Sequence, residues 1–183
     1  MTDTVTVPSP FVDLLEQRKA SEAWQRVNQL ERQMADLPQT FAPANNLFTP
    51  VEGHPDLFLY SREITMPAGM LLTTLIHRFE HPYIISKGSL AVWDDALGWQ
   101  RFHAPYRGVT HPGTRRILYI YEETTWTTFH VTKSNDPDLV VDELTASPFE
   151  FGHLSDLSKT QREILEANAH QSNPFSVPCP FLP

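Results

Sequence analysis

The chain has a single cysteine in 183 residues. Cys179 has no intrachain partner, which excludes a disulfide-stapled scaffold and fits a reducing compartment or a fold that needs no staples. It sits in a proline-rich tail, with no neighbour to activate a thiolate. No stretch approaches the roughly 18 apolar residues of a membrane span, so no membrane partner is expected. Basic residues never gather into a run, and 14 Lys and Arg against 22 Asp and Glu leave a formal charge of −8. An acidic surface repels phosphate backbones, which excludes nucleic acid as a partner. No phosphate loop, no G-x-S-x-G and no Cys/His dyad is present. The opening MTDTVTVPSP has neither the basic nor the apolar part of an export signal, so secretion is not expected. Glycine is also scarce, with seven against 16 prolines.

Those prolines mark the organisation. They cluster at Pro8 to Pro55 and again at Pro174 to Pro183. Proline fixes φ and removes a donor, so these stretches read as extended connectors. Three zones follow: residues 1–50, a helical arm and linker; residues 51–135, a β domain; residues 136–183, a linker, short helix and tail. The length suffices for one domain with a proper core plus extensions. In the first zone a helix is predicted from Pro10 to about Asp36. Along it Ala20, Ala23, Val27, Leu30, Met34 and Leu37 recur at alternating spacings of three and four. That seam either lies on the chain's own β domain or joins two or three copies in a short coiled coil.

The middle zone alternates short β-prone runs with turn signals. Leu57–Tyr60, Arg62–Ile64, Met70–His77, Tyr83–Ile85, Ser89–Trp93, Trp99–His103, Arg116–Tyr121 and Trp126–Val131 are the runs. Pro67–Gly69, Lys87–Gly88 and Asp94–Gly98 are the turns, the last a hairpin loop. Many short strands without intervening helical patterns predict an antiparallel sandwich or barrel. The run 70–77 is apolar on both faces, hence covered on both sides. In the third zone Ser158 to His170 reads as a capped helix with Gln161 at the capping-box position. Phe175, Val177, Phe181 and Leu182 then stand between prolines as anchors for a groove.

The segment Pro67-Ala-Gly69, His77-Arg-Phe-Glu-His81, Lys87-Gly88 resembles the first cupin motif, His-x-His followed by Glu and then glycine. In that alignment Leu75 stands at the first His, His77 at the second and His81 at the Glu. His111-Pro-Gly-Thr-Arg-Arg116 resembles the second motif, with Arg116 at its final His. A guanidinium is not a metal ligand, so two of the four ligand positions are lost. A closer resemblance over residues 57–132 is to small cupin-like proteins encoded by tailed bacteriophages and prophages, a group without an established biochemical role. It rests on Pro-Gly-Thr-Arg-Arg, Glu-Glu-Thr-Thr-Trp-Thr-Thr-Phe-His and Ile-His-x-x-x-His-x-x-Ile-Ile-Ser-Lys-Gly. The resemblance implies a cupin-like antiparallel β-barrel, or jelly roll; the N-terminal α-helix and the short C-terminal helix with its extended tail, read from their own patterns, fall outside it and complete a mainly β chain. It also implies a phage origin, with the host cytoplasm or the virion as location.

Independently of the family, His77, His81 and either His130 or His111 form a candidate set for Zn²⁺, Fe²⁺, Mn²⁺ or Ni²⁺ through neutral imidazoles. His130 shares a strand face with Trp126 and Thr128, Phe129 and Val131 share the other, and either face could be the interior. Glu80 is a candidate general base beside both histidines. Arg116 and Tyr119 are candidates for a ligand pocket, where one of Arg115 and Arg116 pairs with Glu80, Glu122 or Glu123 or grips an anion. Three functions compete. The first is an oligomeric assembly module of a phage particle, partnered by copies of itself and by other phage structural proteins. The second is a metal-dependent cupin enzyme acting on a small molecule, and the third a metal-free ligand- or sugar-binding barrel. The association elements outside the β domain and the incomplete ligand set inside it favour the first and argue against catalysis.

Overall fold

A computed structural model describes residues 14, 17–18, 21–35, 37–38 and 42–146. The expected helix at 158–170, Cys179 and the aromatic tail lie outside the described residues, as does Ala20 of the seam.

The fold is mainly antiparallel β, built around one long strand. In chain order the elements are α1 (Glu22–Ala35), β1 (Ala44–Val51), β2 (His54–Met66), β3 (Leu71–Thr73), β4 (Ile76–His77), β5 (His81–Asp94), β6 (Gly98–His103), β7 (Tyr106–Thr110), β8 (Arg116–Thr132), α2 (Pro137–Leu144) and β9 (Thr145–Ala146). The two runs expected at 116–121 and 126–131 are one strand, β8. Its threonines, isoleucines and aromatics suit a pleated surface, and it holds neither proline nor glycine. β8 pairs with β2 from Met66↔Thr124 to Phe58↔Thr132 and with β5 from Tyr83↔Thr128 to Asp94↔Arg116.

The turn expected at Lys87–Gly88 is instead a bend inside β5. Register shifts crowd between Ile85 and Leu90, and bulges of this kind fold a sheet on itself. Gly88 has φ of +88°, and a Cβ there would meet the Glu123 carbonyl oxygen at 2.3 Å. The bend makes two leaves. One holds β1, β2, the end of β8, the start of β5 and β7; the other holds β3, the start of β8, the end of β5 and β6. Met66, Tyr83, Ile85 and Trp126 of the first share a core with Leu90, Val92, Leu118 and Ile120 of the second.

The expected barrel is not closed by hydrogen bonds among the described residues: the ladder runs β1-β2-β8-β5-β6 and stops. The reason lies in residues 70–77, which do not form one strand. Leu71–Thr73 pairs with β8, the chain leaves the sheet at Leu75, and Ile76–His77 pairs with β9. β1 also starts earlier than the sequence suggested, inside the proline-marked linker. Pro50 is tolerated there because β1 is an edge strand and Pro50 borders a register shift.

Helix α1 lies on its own sheet. Trp24 and Val27 are buried, Trp24 against Ile76 and Ala146. Arg115, 1% exposed, donates to Asn28 Oδ1 at 2.6 Å and to Glu31. Arg18 reaches Asp95 at 2.9 Å. Of the predicted seam, Val27 is thus spent within the chain, Ala23 and Leu30 border an open groove, and Leu37 is exposed. The anchor the seam omitted is Trp24.

Helix α2 was not expected from the sequence. Asp136 caps it by accepting from the Asp138 amide at 3.0 Å, and Pro137 occupies its first turn. Val140 and Leu144 pack on Tyr60, so α2 covers one end of the space between the leaves.

Candidate metal centre

Three histidines from three strands meet inside the folded sheet. His77 ends β4, where Thr145 is its ladder partner and its carbonyl accepts from the Gly113 amide at 2.8 Å. His81 opens β5 and is 2% exposed. His130 lies near the end of β8 and is 7% exposed. The face ambiguity of that strand is settled by Trp126 and His130, both buried, and by Val131, 59% exposed. Ring centroids stand 4.2 Å apart for His77 and His81, 4.1 Å for His81 and His130, and 5.6 Å for His77 and His130. One ring nitrogen from each lies within 4.8 Å of the others.

The donor set fits a metal. Nδ1 of His81 faces the Phe79 carbonyl at 3.2 Å; the tautomer that donates there leaves Nε2 as a lone-pair donor, the usual outer-sphere arrangement for a ligating imidazole. Among the described residues, the buried Nδ1 of His77 has no hydrogen-bond partner, a costly state unless something else engages it. Burial, the neighbouring histidines, Arg116 and Arg62 pull His77 down to about 3. Burial, His81 and Arg62 bring His130 to about 3 as well. Burial lowers His81 too, against the opposing Phe79 carbonyl and with some help from Arg116. Each imidazole is therefore neutral at pH 7, the form that binds a cation.

These depressed values carry a stability consequence. Between the free-histidine value of 6.5 and about 3 the unfolded chain binds more protons than the folded one. Metal-stripped protein should therefore lose stability as pH falls from about 7.5 to about 5, by about 2 kcal/mol for each histidine held near 3. Denaturant titrations at the two pH values measure this. The loss should shrink in a His77→Gln, His130→Gln variant, and an equal loss in that variant refutes the assignment.

Beside the triad lies a hollow of about 410 Å³. Tyr60, Arg62, Ile64 and Met66 line it from alternate positions of β2, Arg116 and Leu118 from β8, and Val140 and Leu144 from α2. Arg116 donates to Thr110 Oγ1 at 2.7 Å and lies 5.5 Å from the centre of the Tyr83 ring. Arg62 was missed in the sequence, although it alternates with Tyr60, Ile64 and Met66 on one face.

Other candidates stand elsewhere. His111 Nδ1 pairs with Glu80 Oε2 at 2.8 Å, and both side chains are well exposed, so neither joins the triad. Glu80 is held in a surface pair rather than aimed at the hollow. Tyr119 alternates with the buried Leu118 and Ile120, which turns it to the outer face, edge-on to Tyr121 at 5.1 Å. Arg115 pairs with Glu31 of α1 rather than with Glu80, Glu122 or Glu123.

No family model matches the chain, and no curated protein matches it in sequence. Among solved structures it is similar to a Cupin_2 domain of an XRE family transcriptional regulator from Enterobacter cloacae, at 11% identity and a TM-score of 0.38. That match covers 52% of this chain and 100% of the other. The EutQ protein of Clostridium difficile matches at 12% identity and a TM-score of 0.39, over 56% of this chain and 69% of its own. KdgF from a Halomonas species matches at 14% and 0.34, over 45% of this chain and 85% of its own. Among the described residues, no helix is long and apolar enough to cross a membrane.

Proposed function

We propose that the chain is a cupin-type metalloprotein, holding one divalent transition metal, Zn²⁺, Fe²⁺, Mn²⁺ or Ni²⁺, on His77, His81 and His130, and acting on a small molecule admitted to the adjoining hollow. One observation carries this reading: three imidazoles, two buried and one largely so, with ligand atoms within 4.8 Å, one of them with an Nδ1 unpartnered among the described residues. When bound, such an ion polarises an oxygen of a substrate or activates water. The chain's own residues do the rest. The Phe79 carbonyl fixes the His81 ring, the β4–β9 ladder fixes His77, and Val140 and Leu144 of α2 keep bulk water from one side of the hollow.

Elemental analysis of protein purified without chelator tests it. About one equivalent of metal per chain is expected for a site of this donor set. Less than about a tenth of an equivalent, persisting after incubation with each of the four ions, ends the reading.

The assembly-module reading, with second copies and phage structural proteins as partners, draws its support from one surface. Ala23 and Leu30 of α1 border a groove of about 710 Å³ with Trp93 and Trp99, the last 40% exposed. On that reading solution scattering at micromolar concentration returns a multiple of 20.9 kDa, and Leu30→Glu returns the monomer. A monomeric wild-type chain removes it.

A further inference from the structure

We infer that the hollow beside the histidines takes a small organic carboxylate, gripped by Arg62 and Arg116. This rests on the metal-site reading for its place in the molecule and deepens it by naming the ligand class. The chain is acidic overall, with a net charge of −8. Yet among the described residues the lining of the hollow holds two arginines and no Asp or Glu.

Neither arginine has a carboxylate within ion-pair distance among the described residues. The neighbouring residue shows what this chain does with an arginine that serves structure: Arg115 is buried and matched by Glu31. Arg116 has a neutral hydroxyl, Thr110 Oγ1. Its cross-strand neighbour Asp94 uses Oδ1 to accept from the Ala96 and Leu97 amides in the hairpin turn. Asp94 favours the Arg116 charge from beyond ion-pair distance, but a partly buried guanidinium without a direct carboxylate contact is costly to hold, and a planar fork suits a carboxylate.

The charge balance points the same way. Three neutral imidazoles bring no negative charge to a divalent ion, so an ion at the triad would share its surroundings with two guanidinium groups. An anionic ligand neutralises that excess and should bind cooperatively with the metal. The volume admits a short carbon chain, and Ile64, Met66, Leu118 and Val140 supply apolar wall for it. A carboxylate thus sits on the arginines, a short apolar body on the wall, and a further oxygen faces the histidines.

Calorimetric titration with malonate, succinate and inorganic phosphate, against sodium chloride of equal ionic strength, tests this on metal-stripped and zinc-loaded protein. A dicarboxylate should bind metal-stripped protein and bind the zinc-loaded form more tightly. Arg62→Gln and Arg116→Gln should each weaken binding by at least about tenfold while leaving metal content unchanged, with Arg116→Lys between them and wild type. Wild-type melting behaviour in Arg62→Gln and Arg116→Gln themselves shows that their loss of binding is not misfolding. No binding in either state, binding unaffected by both glutamine variants, or tight phosphate binding without carboxylate binding overturns the inference. Carboxylate binding without metal uptake removes the metal reading alone. Metal uptake without any anion binding removes this inference alone.

Discussion

Replacing His130 by alanine should lower bound metal from about one equivalent to below about a tenth and weaken affinity by at least a hundredfold. Zinc sites with four protein ligands hold their ion by about 10–16 kcal/mol, so one ligand is worth about 3 kcal/mol, or roughly two powers of ten. Among the described residues the three-imidazole site has no reserve ligand nearby: Glu80 and His111 are paired on the surface, and Arg62 and Arg116 repel a cation. His77→Ala should behave the same way. His111→Ala is the informative control, because the cupin alignment placed it in the second motif and the structure places it outside the triad; it should retain full occupancy. Elemental analysis of the three variants decides the matter, and metal retained by His130→Ala at the wild-type level would exclude the triad.

Gly88→Ala should cost at least about 3 kcal/mol and lower the melting temperature by about 10 °C. Two effects add. The backbone at Gly88 has φ of +88°, where an alanine is strained, and the new Cβ would meet the backbone oxygen of Glu123 at 2.3 Å and Thr124 Oγ1 at 2.6 Å. Neither partner is the loose end of a flexible chain, so the sheet itself must shift. Gly53 separates the contributions: it has φ of +77°, and a Cβ there would meet nothing within 4 Å, so Gly53→Ala should cost only about 1 kcal/mol. Equal losses in the two variants would mean that the bend in β5 does not depend on the close approach.

How far the sequence foretold this arrangement depended on which period governed each residue. The alternation of β-prone runs and turns announced a mainly β chain, and His77 and His81 were legible as a pair because the strand break between them is short. His130 was not placed, since both faces of Trp126 to Val131 carry bulky residues and only burial distinguishes them. Arg115 and Arg116 must diverge because they are consecutive on an extended chain, but which of them turns inward was settled by Asn28 and Glu31 of α1, elements far off in sequence. Arg62 was overlooked among its apolar neighbours. Helix α2 escaped notice because Asp136-Pro137 read as a linker, although an Asp cap before a first-turn proline is also how helices begin. The long strand β8 reads as two runs because residues 122–125 carry no apolar side chain, whereas the bend beside them belongs to its partner, β5.

The two-residue ladder between β4 and β9 ties His77 to a segment almost seventy positions later, and Arg78 adds to that tie by donating to the Thr145 carbonyl at 2.8 Å. A nascent polypeptide emerging from the ribosome therefore carries two of the three histidines, His77 and His81, long before the means to fix the first of them exists. On the proposed metal reading, ion capture would come late in biosynthesis, once residues 145 and 146 have been delivered, and a polypeptide ending at residue 135 would contain all three imidazoles yet lack the strand that aligns one of them.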